Sequence, residues 1–76
     1  MGQAYVLINA EKGKEQEVYE NLLDMSEISG AHLLFGEWDV VAKVKLDSNQ
    51  DLGTFILDKV RPVEGVNITS TLIIAK

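Results

Sequence analysis

The spacing of apolar residues changes along this chain in a fixed order, and that order limits the folds open to it. From Gln3 to Ala10 apolar side chains alternate, Ala4, Val6 and Ile8 against Tyr5, Leu7 and Asn9, as in a strand. From Lys14 to Met25 the period lengthens. Val18, Leu22 and Met25 fall at helical spacing, and Glu15 and Glu17 suit the positive end of the helix dipole. Ser29-Gly30 follows that helix. Two strand-like runs come next, over about 31–36 and 38–46, joined at Gly36-Glu37 by a connection short enough for a hairpin. DSNQDLGTFILDKV, residues 47–60, is a second helix with the stripe Leu52, Phe55, Ile56 and Val60. Ser48 and Asp51 have the spacing of a capping box. Gly53 costs about 1 kcal/mol against alanine in a helix interior, so it either meets a close packing partner or lies in a frayed first turn. Pro62 lacks an N–H and biases Arg61 out of the helical region, which ends this helix near Val60. VNITSTLIIA, residues 66–75, is the last strand.

The order β-α-β-β-α-β predicts a ferredoxin-like α+β sandwich, an antiparallel four-stranded sheet with two helices on one face. Val6, Ile8, Leu33, Phe35, Val40, Ala42, Val44 and Leu46 supply the face beneath the helices. The opposite face carries Tyr5, Leu7, Leu34 and Val41, with either Ile73 or the Leu72/Ile74 pair. A solvated face would be mostly polar, so this one calls for a cover. At 76 residues the chain is a single domain, 1–76, and a domain of this size is marginal alone. With no cysteine and one histidine, His32, a disulfide framework is excluded and a zinc or iron–sulfur site is disfavoured. Self-association is the remaining staple, and a second copy of the same sheet is the simplest cover.

The formal net charge is −5, and the seven basic residues are scattered. Direct nucleic-acid binding is therefore disfavoured, because phosphate neutralisation dominates such affinity. No apolar run approaches the roughly 18 residues of a membrane span, and no signal peptide opens the chain. A soluble cytoplasmic protein is the expectation, and Asn67-Ile68-Thr69 is then a chance match to a glycosylation sequon. No catalytic triad, cysteine nucleophile, metal-ligand cluster or glycine-rich phosphate loop is present in the pattern. No cofactor is expected. His32, without a placed partner, reads as structural or as a surface residue.

Gly36, Glu37, Trp38 and Asp39 place a glycine, two acids and the only tryptophan in four residues. One reading is a plain turn: glycine for positive φ, Asp39 bonding nearby backbone N–H groups, Trp38 as filler. The other is a binding site. Backbone donors exposed at the glycine would take a carboxylate, Asp39 an ammonium, and Trp38 would wall an apolar side chain, a set that suits a zwitterionic ligand.

GEWDVVAKV resembles the Gly-x-Tyr/Trp-Asp hairpin of the C-terminal ligand-binding domain, or RAM domain, of Lrp/AsnC transcription regulators. VEGVNITSTLIIAK is similar to that domain's last strand, with Gly65, Val66, Thr69, Thr71 and Leu72 to Ile74 at its motif positions. GKEQEVYENLLDMSEI fits its first helix. The resemblance covers nearly the whole chain. It implies a non-enzymatic sensor that binds an amino acid or related small effector in a cleft where dimers meet. It assigns ligand roles to Gly36, Glu37 (through its backbone), Trp38 and Asp39, with Leu34 and Thr69 as further walls. It implies a homodimer and a ring of dimers, an octamer or decamer, and co-assembly with a helix-turn-helix relative. The chain begins at the first strand of that domain, so the expectation is a stand-alone version without its own helix-turn-helix.

Three other readings compete. Small dimeric ferredoxin-like monooxygenases use residue types such as Asn9, His32 and Trp38, and would need them to converge. An ACT-type amino-acid-binding domain would carry a glycine-rich turn after the first strand, where NAEKGKEQ has one glycine. A structural assembly subunit would bind no ligand.

Overall fold

The computed structural model describes residues 2–47 and 49–75. In chain order the elements are β1 (Gly2–Ala10), α1 (Glu15–Leu23), β2 (Ile28–Leu33), β3 (Val40–Leu46), α2 (Leu52–Phe55) continued by a π-helical turn (Ile56–Val60), and β4 (Val66–Ile73). The sheet is antiparallel, in the order β2-β3-β1-β4. This is the ferredoxin-like fold, with β1 and β3 central and β2 and β4 at the edges.

Strict alternation fixes the inner face. Ala4, Val6 and Ile8 of β1 stand opposite Val44, Ala42 and Val40 of β3, and all six are buried. Val18 and Leu22 of α1 and Phe55, Ile56 and Val60 of the second helical segment close over them. The burial of these side chains, about 1.5–3 kcal/mol for each large one, is the main force holding the two layers together.

β2 departs from the expected 31–36. It begins at Ile28, which is buried opposite Val44, and its register slips between Ile28 and Gly30. Ser29-Gly30, read as the connection that follows the helix, thus forms part of an irregular strand. Ala31 is buried on the inner face. Leu33 lies opposite Val40, but as the last residue of an edge strand it is largely exposed. Phe35, expected beneath the helices, falls in the connection after β2 and is wholly exposed. That connection spans 34–39, longer than the hairpin turn expected at Gly36-Glu37.

The second helix starts later than expected. Ser48, read as its cap, lies outside the described residues. Asp51, read as the cap's partner, is itself the N-cap. Its Oδ2 accepts from the Thr54 N–H at 2.9 Å and from the Thr54 hydroxyl at 3.0 Å. Those two bonds hold its carboxyl below the usual carboxylate range. Gly53 sits in this first turn. Ahead of Pro62 the turn widens, and the Arg61 N–H reaches back to the Ile56 carbonyl at 2.9 Å. The helical segment ends at Val60, as expected.

Among the described residues no element covers the outer sheet face. Tyr5 stands opposite Leu72 and Lys43, and Leu7 opposite Val41 and Ser70. Tyr5 is 41% and Leu72 53% exposed. Leu72 is therefore the β4 residue of the outer face, while Ile73, opposite Ala4, belongs to the inner one. The Lys43 ammonium lies 5.9 Å from the Tyr5 ring centroid, a cation–π contact.

Gly65 sets the approach to β4. Its φ is +96°, and a Cβ there would stand 2.8 Å from Lys14 Cβ and 3.0 Å from Val18 Cγ2. Its carbonyl accepts from the Glu11 N–H at 2.6 Å, which ties β4 to the turn after β1. Gly65→Ala combines a left-handed backbone penalty of about 1–2 kcal/mol with overpacking of about 1–3 kcal/mol. Its melting temperature should fall by about 10 °C or more. Gly36→Ala, where a Cβ meets nothing within 4 Å despite φ +142°, should show only the backbone part. Equal melting temperatures for Gly65→Ala and the parent would mean that β4 is not held against α1 at this point.

Candidate functional site

β1 outruns its partner. Its last pair with β3 is Ile8 with Val40, so Asn9 and Ala10 extend beyond the ladder on that side. The 34–39 connection takes up their hydrogen-bonding groups. The Asp39 N–H donates to the Ile8 carbonyl at 2.9 Å. The Ala10 N–H donates to Asp39 Oδ2 at 2.7 Å. Asn9 Nδ2 donates to the Glu37 carbonyl at 3.4 Å, a weak bond. The Leu34 N–H closes the connection onto the Asp39 carbonyl at 2.8 Å. Gly36 sits between these braces with its positive φ and open space where a side chain would be.

Beside this corner lies a cavity of about 300 Å³ lined by Asn9, Glu37, Trp38 and Ile68. Trp38 is half-buried and Ile68 60% exposed. They give it apolar walls, and the Asn9 amide and Glu37 give it polar ones. The structure brings Glu37 and Trp38 of the expected site together here. Asp39 stands behind them with its carboxylate on Ala10, and Gly36 is on the open side of the connection. Leu34 serves through its backbone and is not in the lining. Thr69, expected as a wall, pairs with Ile8 on the inner face.

The reason for that last difference is a slip in the β1–β4 ladder. Ala10 pairs with Val66 and Asn9 with Ile68, so Asn67 has no partner across the ladder. Unbroken alternation from Val66, which packs on the core, would put Thr69 on the outer face. The bulge shifts the phase and puts Ile68 there instead. Such bulges re-aim side chains near sites. No local residue pattern announces this one. Asn9 was equally hard to see as a neighbour of the corner, because its placement depends on how far β1 extends past β3.

His32 lies elsewhere. It stands opposite Val41 and lines a smaller hollow of about 140 Å³ with Tyr5, Gly30, Val41 and Lys43. It does not share the Asn9–Trp38 cavity. Two larger hollows, about 410 and 380 Å³, flank the start of α2. They share Glu27 and Gln50, already bonded to each other at 3.1 Å, and their other polar side chains, Lys45, Thr54, Asp58 and Lys59 among them, are exposed. Size alone does not make them a site, and no residue of the corner reaches them. Among the described residues no group of three or more His, Cys, Asp or Glu side chains could hold a metal. No described helix is long and apolar enough to cross a membrane.

A family model described as the Lrp/AsnC ligand binding domain matches residues 3–76. The chain belongs to the Lrp/AsnC ligand-binding domain family. Among curated relatives, the HTH-type transcriptional regulator FL11 of Pyrococcus furiosus is 36% identical over 73 residues, covering 96% of this chain and 48% of that protein. The chain spans about half the length of the curated relatives it matches. The structure is similar to the crystal structure of FFRP-DM1, with a TM-score of 0.91 and 40% identity over 97% of this chain and 99% of that one. The transcriptional regulator NMB0573 of Neisseria meningitidis, crystallised as an L-Met complex, shares the fold. There the TM-score is 0.83 and the identity 22%, over 99% of this chain and 50% of that one.

In this Lrp/AsnC domain the Asp39 carboxylate has a bracing role that can be measured separately. Asp39→Ala leaves the part-buried Ala10 N–H without its acceptor, a loss of about 1–3 kcal/mol. Asp39→Asn keeps an oxygen in place and should recover most of that stability. Thermal or urea melts of the two variants at neutral pH check the order. If both variants melt like the parent, the corner is not held by this bond.

Proposed function

We propose that this domain binds a free amino acid or a related small effector at the Gly36–Asp39 corner, and that it works as an assembled sensor in transcription control. The observation that carries this reading is the corner itself. It is braced by β1 at Glu37 and Asp39 and closed on itself from Leu34 to Asp39, yet it leaves an unhindered glycine backbone near a cavity with an indole wall. In the proposed arrangement the backbone of Gly36 and Glu37 takes the effector's carboxylate, and Trp38 lies along its side chain. Asp39 faces its ammonium. One N–H from Ala10 leaves acceptor capacity on that carboxylate, which offers about four lone-pair sites. A protein of the same fold was crystallised with L-methionine, which makes amino acids the first probes to use.

Assembly is the second part of the proposal. The apolar centre of the outer face, Tyr5, Leu7, Val41 and Leu72, is covered by a second copy, and dimers close into a ring. A neighbouring copy would close the open side of the cavity. The curated relatives are helix-turn-helix regulators about twice as long, and co-assembly with such a relative would connect effector binding to DNA. The net charge of −5 favours leaving DNA contact to that partner. An oxygenase site is less well supported, because Asn9 and Trp38 share one cavity and His32 lines another.

A thermal-shift screen with the proteinogenic amino acids tests the binding. An effector at about 100 times its dissociation constant stabilises by about 2.7 kcal/mol. Calorimetric titration of folded Asp39→Asn should then show roughly ten- to hundredfold weaker affinity, as expected for loss of a charge-assisted bond of about 1.5–3 kcal/mol. Parent-like affinity in that variant would reduce Asp39 to its bracing role.

For the assembly, Val41→Asp puts a charge in the buried layer between sheets, at a cost of several kcal/mol. Light scattering should show the parent as a dimer or larger and the variant dissociated. A stable parent monomer at micromolar concentration would overturn the sheet-to-sheet arrangement.

A further inference from the structure

We infer that assembly of this domain is sensitive to pH through His32: two copies hold together while its imidazole is neutral and loosen when it takes a proton. This inference rests on the sheet-to-sheet assembly proposed above. His32 stands on β2 opposite Val41. It lines the hollow of about 140 Å³ together with Tyr5 and Val41, two members of the apolar centre of the outer face. A second sheet laid on Tyr5 and Val41 would therefore cover the hollow as well. In the single chain His32 is exposed, so water solvates its charged form there.

No outer-facing strand residue is acidic. From β3, Lys43 lines the hollow itself, and Lys45 follows two residues on. β1 offers the Tyr5 phenol, and β4 offers the uncharged Ser70 and Leu72. The nearest acids along the chain lie beyond the strand ends. Asp39 is bonded to the Ala10 N–H and Glu27 to Gln50, and Glu37 lines the separate Asn9–Trp38 cavity. Among the described residues the ion pairs belong to Lys14, and none to His32 or Lys43. A second copy brings the same set, so closing two such faces gathers cations with no strand carboxylate between them. Covering the hollow strips water from an imidazolium and holds it beside lysine charge, and both effects disfavour the protonated form. The assembled state then binds that proton less tightly than the free chain, and falling pH drives the equilibrium towards free chains. Histidine is the side chain whose ordinary titration lies between about pH 5 and 8. Charging His32 also lowers the net negative charge of the chain, which by itself would ease association. Dissociation on acidification therefore reports on the face and not on net charge.

The test is analytical ultracentrifugation of the parent and His32→Gln at about pH 8 and about pH 5.5, with circular dichroism on the same samples. The parent's dissociation constant should rise roughly tenfold or more at the lower pH, while His32→Gln, uncharged throughout, should change little. Equal rises in the two proteins would overturn the inference. So would a loss of helix signal at the lower pH that both share, which assigns the dissociation to unfolding. Tighter parent assembly at the lower pH would overturn it too, and would place a carboxylate of the other copy, Glu37 first, against His32. If the parent is assembled at both pH values with an unchanged constant, this inference fails while the assembly reading stands. If the parent is a monomer at about pH 8, both fail.

Discussion

The bond from the Ala10 N–H to the Asp39 carboxylate determines where the corner stands. β1 is the strand that every other part of the sheet refers to, paired with β3 on one side and β4 on the other. Its inner residues are fully buried, so its position cannot drift. Where its ladder with β3 runs out, the next free N–H would be exposed to partial burial without a partner, which is costly. A side chain from the connection supplies the acceptor. The same bond thus ends a strand and aims a loop. At this corner a turn and the proposed binding site do not exclude each other, because the rigidity a site needs is produced by the hydrogen bonds that make the turn.

The same economy of parts governs the core. Apart from Phe55 the buried set is aliphatic, and four of its members are alanines, with Ala4 and Ala42 facing the centre of the sheet. Such a core brings the layers close together but leaves little reserve in a domain of 76 residues. Close approach recurs at Gly65, where α1 leaves no room for a methyl group. The Lys14–Glu64 ion pair beside it, at 3.2 Å, is exposed and adds little. Stability at this junction comes from fit. The apolar outer face then serves as the natural place for a small domain to gain further burial.

Much of this was legible in the sequence where the hydrophobic period was strict. Ala4, Val6 and Ile8, and Val40 to Leu46, read directly as two central strands and their buried face. Val18 and Leu22 read as the helix that covers them, and Pro62 marked the end of the second helical segment. The errors fell at irregularities. Ser29-Gly30 has the composition of a connection between helix and strand, yet it lies within β2, because the register slip at Ile28 lets a buried isoleucine begin the strand. Phe35 matches the phase of β2 but lies past its end. Composition alone cannot place strand ends, since they depend on where the partner strand stops.

The site followed the same rule. Gly36, Trp38 and Asp39 could be proposed from the sequence because their residue types are unusual for a plain turn and because the family resemblance picked out the same positions. Thr69 was expected and Ile68 was not, although they are neighbours in the chain. A single unpaired residue, Asn67, exchanges the two between faces. Bulges are invisible to a period-two argument, since that argument assumes the ladder they interrupt. In a sheet with both faces apolar the hydrophobic pattern also fails to penalise the slip, because isoleucine is acceptable on either side. The choice is made by the ends of the strand. Val66 must pack on the core, and the Gly65 carbonyl must meet Glu11, while Leu72 must stand opposite Tyr5. With those points fixed, one extra residue has to be accommodated between them, and it is accommodated beside the cavity, where β1 has already left its other partner.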